Sequence, residues 1–424
     1  MEAPYELVDH LFRHQSGKMV AALVRILGPG NVQLAEDVVQ DVLCRALETW
    51  KYGRLPPNPE AWLMRAAKNR AIDLIRRRER FGELGPELGR YLESEWTLVP
   101  AVDASFDEPA IRDGLLGLAF SCCDPSIGAD TQVSVILKYL CGFSVREIAR
   151  AFLTSEETIE KRLGRGRAAL KAHRELYDVD RDQPDGKRLT SVLSAIYLLF
   201  NEGYHGSNDT VAVRQELCFE ALRLGLLVAE HEALATPETK ALIALMYLHA
   251  ARLPARVDQD QTLVTLAEQD RSRWDQVLVG QGLAWLGESA AGEAASEYHL
   301  EAAIAAHHAV APSIERTDWA EIRALYDALY GIKPSPVVAL NRAIALGMAE
   351  GPGAGLAALE SIPERERLDG YPFYAAALGD MQLRLGRIDA ARTQLMIAVT
   401  KARNPEEREL LERKLAHIGE SHDR

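Results

Sequence analysis

Two clusters of cationic and hydrogen-bonding side chains have spacings that would gather them on single helix faces. In NPEAWLMRAAKNRAIDLIRRRER (58–80), Arg65, Lys68, Asn69 and Arg76 share one side of a helix, which closes on Arg76, Arg77, Arg78 and Arg80. Cations at that density suit phosphate contacts, and Asn69 adds a short side chain able to hydrogen-bond a base edge. In the second cluster, Thr158, Lys161, Arg162 and Arg165 follow i, i+3, i+4 and i+7, with Arg167 and Lys171 placed to lie near phosphates. A basic helix face is often only solvated, so the elements around each cluster must decide between these readings.

The elements favour nucleic-acid chemistry. Around the second cluster, DTQVSVILKYLCGFSVREIARAFLTSEETIEKRLGRGRAALKAHR (130–174) reads as a helix-turn-helix. Val145, Ile148, Ala149 and Phe152 line its first short helix, Leu153-Thr154-Ser155 makes the turn, and Ser155 is the expected N-cap. Glu156 and Glu157 complement the helix dipole. Ile159, Leu163 and Leu170 point inward, opposite the cations, as a helix docked on a scaffold and inserted in the major groove requires. Gly164 and Gly166 each cost roughly 1 kcal/mol relative to Ala, so this helix is expected to be soft. Before the first cluster, LAEDVVQDVLCRALETW (34–50) is amphipathic. Val39, Leu43, Leu47 and Trp50 form one face, and Asp37, Gln40, Asp41, Cys44 and Glu48 the other. Trp50 and Trp62 could be base-stacking platforms, but their phase with apolar positions favours core packing.

The chain of 424 residues carries a formal net charge of −13, which at first argues against nucleic acid. Residues 1–174 hold 24 Lys and Arg against 24 Asp and Glu, whereas 175–424 hold 25 against 38, so the whole excess lies in the second part. No run approaches the roughly 18 apolar residues of a membrane span, and the N-terminus lacks the pattern of a secretory signal. The cysteines, Cys44, Cys122, Cys123, Cys141 and Cys218, have neither the count nor the spacing of a disulfide framework or zinc site. Reduced thiols and a cytoplasmic location are the expectation.

Nearly every segment shows three- and four-residue apolar spacing, so the expected class is all-α. Phe81–Pro109 mixes Gly, Pro and acidic residues without period and reads as a linker, and 178–186 reads as a second boundary. The expected domains are 1–80, 110–175 and 186–424. Within the last, SPVVALNRAIALGMAEGPGAGLAALESI and YPFYAAALGDMQLRLGRIDAARTQLMIAVTKA both put small residues where two helices would cross. Their offset from Ala339 to Ala375 is near the roughly 34-residue period of tetratricopeptide (TPR) repeats.

The pairing of EDVVQDVLCRALETW with NPEAWLMRAAKNRAIDLIRRRER resembles region 2 of the sigma-70 family, in its compact extracytoplasmic-function (ECF) branch. The helix-turn-helix resembles sigma region 4, and the order with a short linker matches the ECF layout. The resemblance implies that Asp37, Gln40 and Asp41 meet the β′ clamp helices of core RNA polymerase, with the β flap as a second contact. It assigns Arg65, Lys68, Asn69, Arg76 and Arg77 to the melted minus-10 strand, Asn69 occupying the family's asparagine position. Thr158, Lys161, Arg162, Arg165 and Arg167 would read the minus-35 element. RLTSVLSAIYLLFNEGYHGS (188–207) and the helix pairs after it resemble the ECF subgroup with a long TPR-like extension. In that subgroup the extension is implicated in control, and a small YCII-related (DGPF-type) protein is associated with it.

The chemistry left over is sparse. Glu202, Tyr204 and His205 form no complete catalytic set, and His299, His307 and His308 lack partners at metal-ligand spacing. No P-loop, GxGxxG, HExxH or nucleophile elbow occurs, so no cofactor and no enzyme activity are expected. The alternative is a helix-turn-helix regulator that works without polymerase and uses the TPR-like region as a protein scaffold. The polymerase-docking face on 34–50 discriminates the two, since a plain repressor has no use for it.

Overall fold

The computed structural model describes residues 3–52, 55–80, 95–152, 154–183, 186–205, 213–257, 262–291, 295–402 and 405–420. Its described residues are all-α, with one isolated β-bridge between Val257 and Leu263. The chain divides into two compact units, Met1–Leu199 and Phe200–Arg424. No helix of the described residues is long and apolar enough to cross a membrane.

In the first unit, α1 (Ala3–Leu27), α2 (Val32–Tyr52) and α3 (Pro59–Arg80) pack together. Met19, Leu23, Val39, Leu63, Ala67 and Ile75 are all at or below 1% exposure and form their core. One expected core position differs: Leu47, in step with Val39 and Leu43, is 42% exposed. The helix drifts against a strict four-residue ladder, because 3.6 residues per turn carries each successive i+4 residue round the axis. Gly28 turns the chain at φ 82°, where L side chains are strained.

The range expected as a linker contains α4 (Glu95–Ser105), and residues 81–94 lie outside the described residues. Then come α5 (Glu108–Cys122), α6 (Ala129–Tyr139), α7 (Val145–Ala151) and α8 (Glu156–Ala172). A short α9 (Val179–Asp182) precedes α10 (Gly186–His205), whose Ser191 donates to the Gln132 side chain at 2.6 Å. α7 opens on a reciprocal capping box. The Ser144 hydroxyl accepts from the Glu147 amide at 3.2 Å, and the Glu147 carboxylate from the Ser144 amide at 2.9 Å. The Ser155 side chain caps α8 by accepting from the Thr158 amide.

The second unit holds α11 (Gln215–Ala229), α12 (Pro237–Ala250), α13 (Gln276–Ser289) and α14 (Glu297–Val310). Leu242, Ile243, Leu245, Met246 and Leu248 of α12 are all 0% exposed, so this helix is apolar around its circumference and central. α15 (Trp319–Ile332) and α16 (Pro336–Ala349) form a hairpin that α17 (Pro352–Glu360), α18 (Pro372–Arg384) and α19 (Ile388–Thr400) continue. Proline stands first in α12, α16, α17 and α18, where a missing N–H costs nothing.

The small residues fall where the helices cross. A Cβ on Gly355 would come within 2.6 Å of the Gly347 backbone, and one on Gly379 within 3.1 Å of Leu395. These contacts lie between α16 and α17 and between α18 and α19, the two pairs whose repeat was visible in the sequence. α20 (Pro405–Glu420) returns to the loop near 262, where Thr262 donates to Glu409 at 3.1 Å.

Candidate nucleic-acid interface

α2 turns its apolar face to α1 and α3, which leaves Asp37, Gln40, Asp41, Cys44 and Glu48 exposed. Asp41 accepts from Arg70 of α3 at 3.0 Å, and Asp37 accepts from Gln33 at 3.1 Å. Between the two helices lies a groove of about 620 Å³, lined by Asp41, Glu48, Trp62, Arg65, Asn69 and Arg70 among others. The structure therefore brings the expected polymerase-facing Asp41 and the expected strand-capturing Arg65 and Asn69 to one concavity.

Arg65, Asn69 and Arg77 are exposed and have no partner among the described residues. Lys68 is ion-paired with Asp103 of α4, and Arg76 is half-buried. The side chains of Arg78 and Arg80 lie outside the described residues. Trp50 packs edge-on against Trp62 at 5.5 Å and tilts on Phe12 at 5.9 Å. These contacts place both tryptophans in the packing of the unit, while Trp62 also reaches the groove wall.

α8 presents its apolar residues inward as expected, with Ile159, Leu163 and Leu170 at 2% exposure or less. Gly166 has a packing role in the helix. A Cβ there would lie 2.1 Å from a Val135 methyl of α6, so glycine is what lets the two helices approach. The outward face is engaged at every expected contact residue. Thr158 shares a hydroxyl bond with Ser155 at 2.9 Å, and Lys161 pairs with Glu157 at 2.7 Å. Arg162 binds Asp130 at 2.7 Å with its guanidinium 4.9 Å above the Phe152 ring. Arg165 donates to the Lys161 carbonyl at 3.4 Å, and Arg167 donates to Gln33 of α2 at 3.1 Å.

That last bond is part of an interface that local sequence patterns do not reveal. Lys138 of α6 is ion-paired with the buried Glu36 of α2. Beside them burial pushes the Tyr139 hydroxyl up to about 12, with Arg167 opposing and Glu36 adding to the rise. A Cβ on Gly17 of α1 would overlap the Leu140 carbonyl at 2.0 Å, and one on Gly114 of α5 would touch Ala21 at 3.4 Å. The two expected DNA-binding modules are thus packed into one body. The signal was a set of glycines and charges about 100 residues apart, which no helical periodicity connects.

The comparisons with known proteins agree with these two modules. Residues 11–81 match the model of sigma-70 region 2, and 129–170 match that of sigma-70 region 4. Residues 188–290 match a family described as of unknown function (DUF6596). An uncharacterized protein of Rhizobium meliloti is 38% identical over 390 residues, covering 92% of this chain and 90% of that protein. The ECF RNA polymerase sigma factor SigE of Mycolicibacterium smegmatis is 28% identical over 38% of this chain and 60% of its own length. The ECF RNA polymerase sigma factor SigX of Bacillus subtilis is 26% identical over 33% of this chain and 71% of its own. No solved structure matches the chain.

Proposed function

We propose a detailed role in promoter recognition from one premise: this chain belongs to the sigma-70 family, in its ECF branch. Its partners are accordingly core RNA polymerase and promoter DNA, and RNA synthesis remains the polymerase's chemistry. In our reading Asp37, Gln40 and Asp41 dock on the β′ clamp helices, and region 4 meets the β flap. Arg65, Lys68, Asn69, Arg76 and Arg77 hold the melted minus-10 strand, where a flipped base needs hydrogen-bonding groups and a basic rim. Thr158, Lys161, Arg162, Arg165 and Arg167 read the minus-35 duplex in the major groove. Acting on polymerase, the chain works in the cytoplasm.

One observation carries this reading. An exposed acidic and polar face on α2 stands directly beside a groove in which Arg65 and Asn69 have no partner among the described residues. A polymerase-docking surface and a strand-capturing surface on adjacent helices would couple binding to opening.

The packing of α8 on α2 adds a step. The two promoter elements are separated by roughly 25 base pairs, or about 85 Å at about 3.4 Å per pair. Arg167 and Gln33 sit 3.1 Å apart, so this docked form cannot span both elements. Polymerase binding must then separate the two modules. The acidic extension modulates that opening by competing with DNA for basic faces or by holding the modules at promoter spacing. A small YCII-related protein is the candidate regulator acting through it.

Pull-down of core polymerase with the full chain and with Asp41→Arg tests the core of the proposal. Wild type should be retained and the variant weakened at least tenfold. A wild-type chain that does not bind core polymerase would sink it.

A further inference from the structure

The second unit contains a group of arginines whose charge no carboxylate among the described residues balances by an ion pair. Arg252 follows α12, Arg256 follows the next short turn, and Arg271 opens another turn before Trp274. The guanidiniums of Arg252 and Arg271 lie 5.4 Å and 5.0 Å from the Trp274 ring. The Arg256 guanidinium stands 4.2 Å from the Tyr204 ring, with that of Arg252 at 6.0 Å. Two aromatic rings therefore tie three cations into one cluster.

The hydrogen-bond partners of these arginines are neutral. Arg252 donates through Nε to Gln269 at 3.2 Å, and Arg256 donates to the Tyr204 carbonyl at 2.8 Å. Arg271 donates to the His308 and Ala311 carbonyls, both at 2.6 Å. No carboxylate among the described residues forms an ion pair with any of the three; Glu315 acts on Arg271 only from further away. Arg252 is only 8% exposed, and its charged or titratable neighbours include Tyr204, Arg256, Arg271 and His308.

Several polar atoms here are buried without a hydrogen-bond partner: Arg256 Nε, Trp274 Nε1 and His308 Nδ1. Buried guanidiniums are normally paired, because removing an unpaired charge from water is costly. Unmet N–H donors beside them raise that cost. The cluster is also local in origin, since the surrounding 175–424 carries 38 acidic residues against 25 basic ones, and none of the described ones forms an ion pair here.

We propose that Arg252, Arg256 and Arg271, with Trp274 as a flat wall, bind the oxyanion group of a small diffusible ligand, a phosphate or a carboxylate. An anion would supply the missing charge and accept from the unmet donors, and guanidinium forks match both groups geometrically. The near-closure of Arg252 selects a small group over a protein surface. Arg252, Arg256, Arg271 and Trp274 all fall within 188–290, so the proposal assigns a property to the span matched to the family of unknown function. It stands apart from the promoter reading, and its test uses neither polymerase nor DNA.

The test is thermal unfolding and calorimetric titration of the full chain with inorganic phosphate and with malonate, against sodium chloride at equal ionic strength. One or both probes should raise the melting temperature of the wild type, since a ligand that binds only the folded state stabilises it. The probe that acts identifies the phosphate or the carboxylate source. Arg252→Met and Arg256→Met should each weaken that binding at least tenfold, with Arg252→Lys intermediate. A structural role predicts instead that Arg252→Met lowers stability equally with and without the probe. If neither probe acts beyond chloride, or if the Met variants respond as wild type does, the proposal is overturned. The wild-type response alone decides it should a variant fail to fold.

Discussion

α3 and α8 carry similar basic faces and are held in opposite ways. On α3, Arg65, Asn69 and Arg77 reach solvent without a partner among the described residues. On α8, Thr158, Lys161, Arg162, Arg165 and Arg167 are each bonded inside the first unit. In the proposed function the first face is ready for a ligand, and the second must exchange existing contacts for new ones. Most of those contacts are exposed, and exposed ion pairs contribute only about 0–1 kcal/mol each. What restrains α8 is therefore less its own ion pairs than the glycine-mediated packing of its module on α1.

The strongest way to break this contrast is to remove the packing. Gly17→Leu places a side chain where even a Cβ would overlap the Leu140 carbonyl at 2.0 Å. Backbone cannot yield as a side-chain tip would, so the docked form should lose about 3 kcal/mol. Denaturant unfolding should show the loss, and small-angle scattering a larger radius if the modules separate. A variant with unchanged stability and radius would show that the two modules are not docked in this way.

Asn69→Ala probes the open face. Asn69 is exposed and makes no described contact, so stability should stay within about 0.5 kcal/mol of wild type. Promoter opening, read by permanganate reactivity of the melted strand, should fall by about 1–3 kcal/mol, the worth of a specific base contact. Duplex binding should change less, and equal losses in both assays would remove the strand-capturing role. Arg162→Ala probes the engaged face. It should weaken upstream-element binding by about 1–2 kcal/mol. It should also cost about 0.5–1 kcal/mol of stability, because it removes the Asp130 pair and the Phe152 contact. An Arg162 variant that binds normally would show that α8 reads DNA through another face.

What the sequence made legible follows from the range of each interaction. The α8 core face, the Ser155 cap and the glycine crossings of α16–α17 and α18–α19 all arise within one helix or one hairpin, where the 3.6-residue period applies. Asp37, Gln40 and Asp41 were readable as one exposed face for the same reason. The docking of α8 on α2 depends on Gln33 meeting Arg167, 134 residues apart, and no pattern links them. Gly166 was misleading in isolation, because its helix-propensity cost is visible in sequence and its packing against Val135 is not. The arginine cluster was hidden likewise. Arg252 and Arg271 meet only through Trp274, in turns that have no period to read.

The finest test concerns the end of α8. His173 caps the helix, and its Nε2 lies 2.6 Å from Asp124, whose carboxylate also accepts from the Ser126 amide at 2.7 Å. Burial would raise the Asp124 pKa, but the Ser126 hydrogen bonds and then His173 outweigh it, and the carboxyl sits below its ordinary value. A folded pKa below the unfolded one means that this contribution is complete above about pH 3.9 and fades as the pH falls through the folded value. Because the pair is part-exposed, its worth should stay under about 1 kcal/mol. Amide exchange, corrected for its intrinsic pH dependence, should therefore lose protection in the last turn of α8 as the pH falls below about 3.9. Amides of α3, in the same molecule, serve as the reference. Asp124→Asn at neutral pH should reproduce the loss at α8 while leaving α3 unchanged. If both helices respond together, the modules open as one unit, and the difference between their faces lies in their contacts and not in their stability.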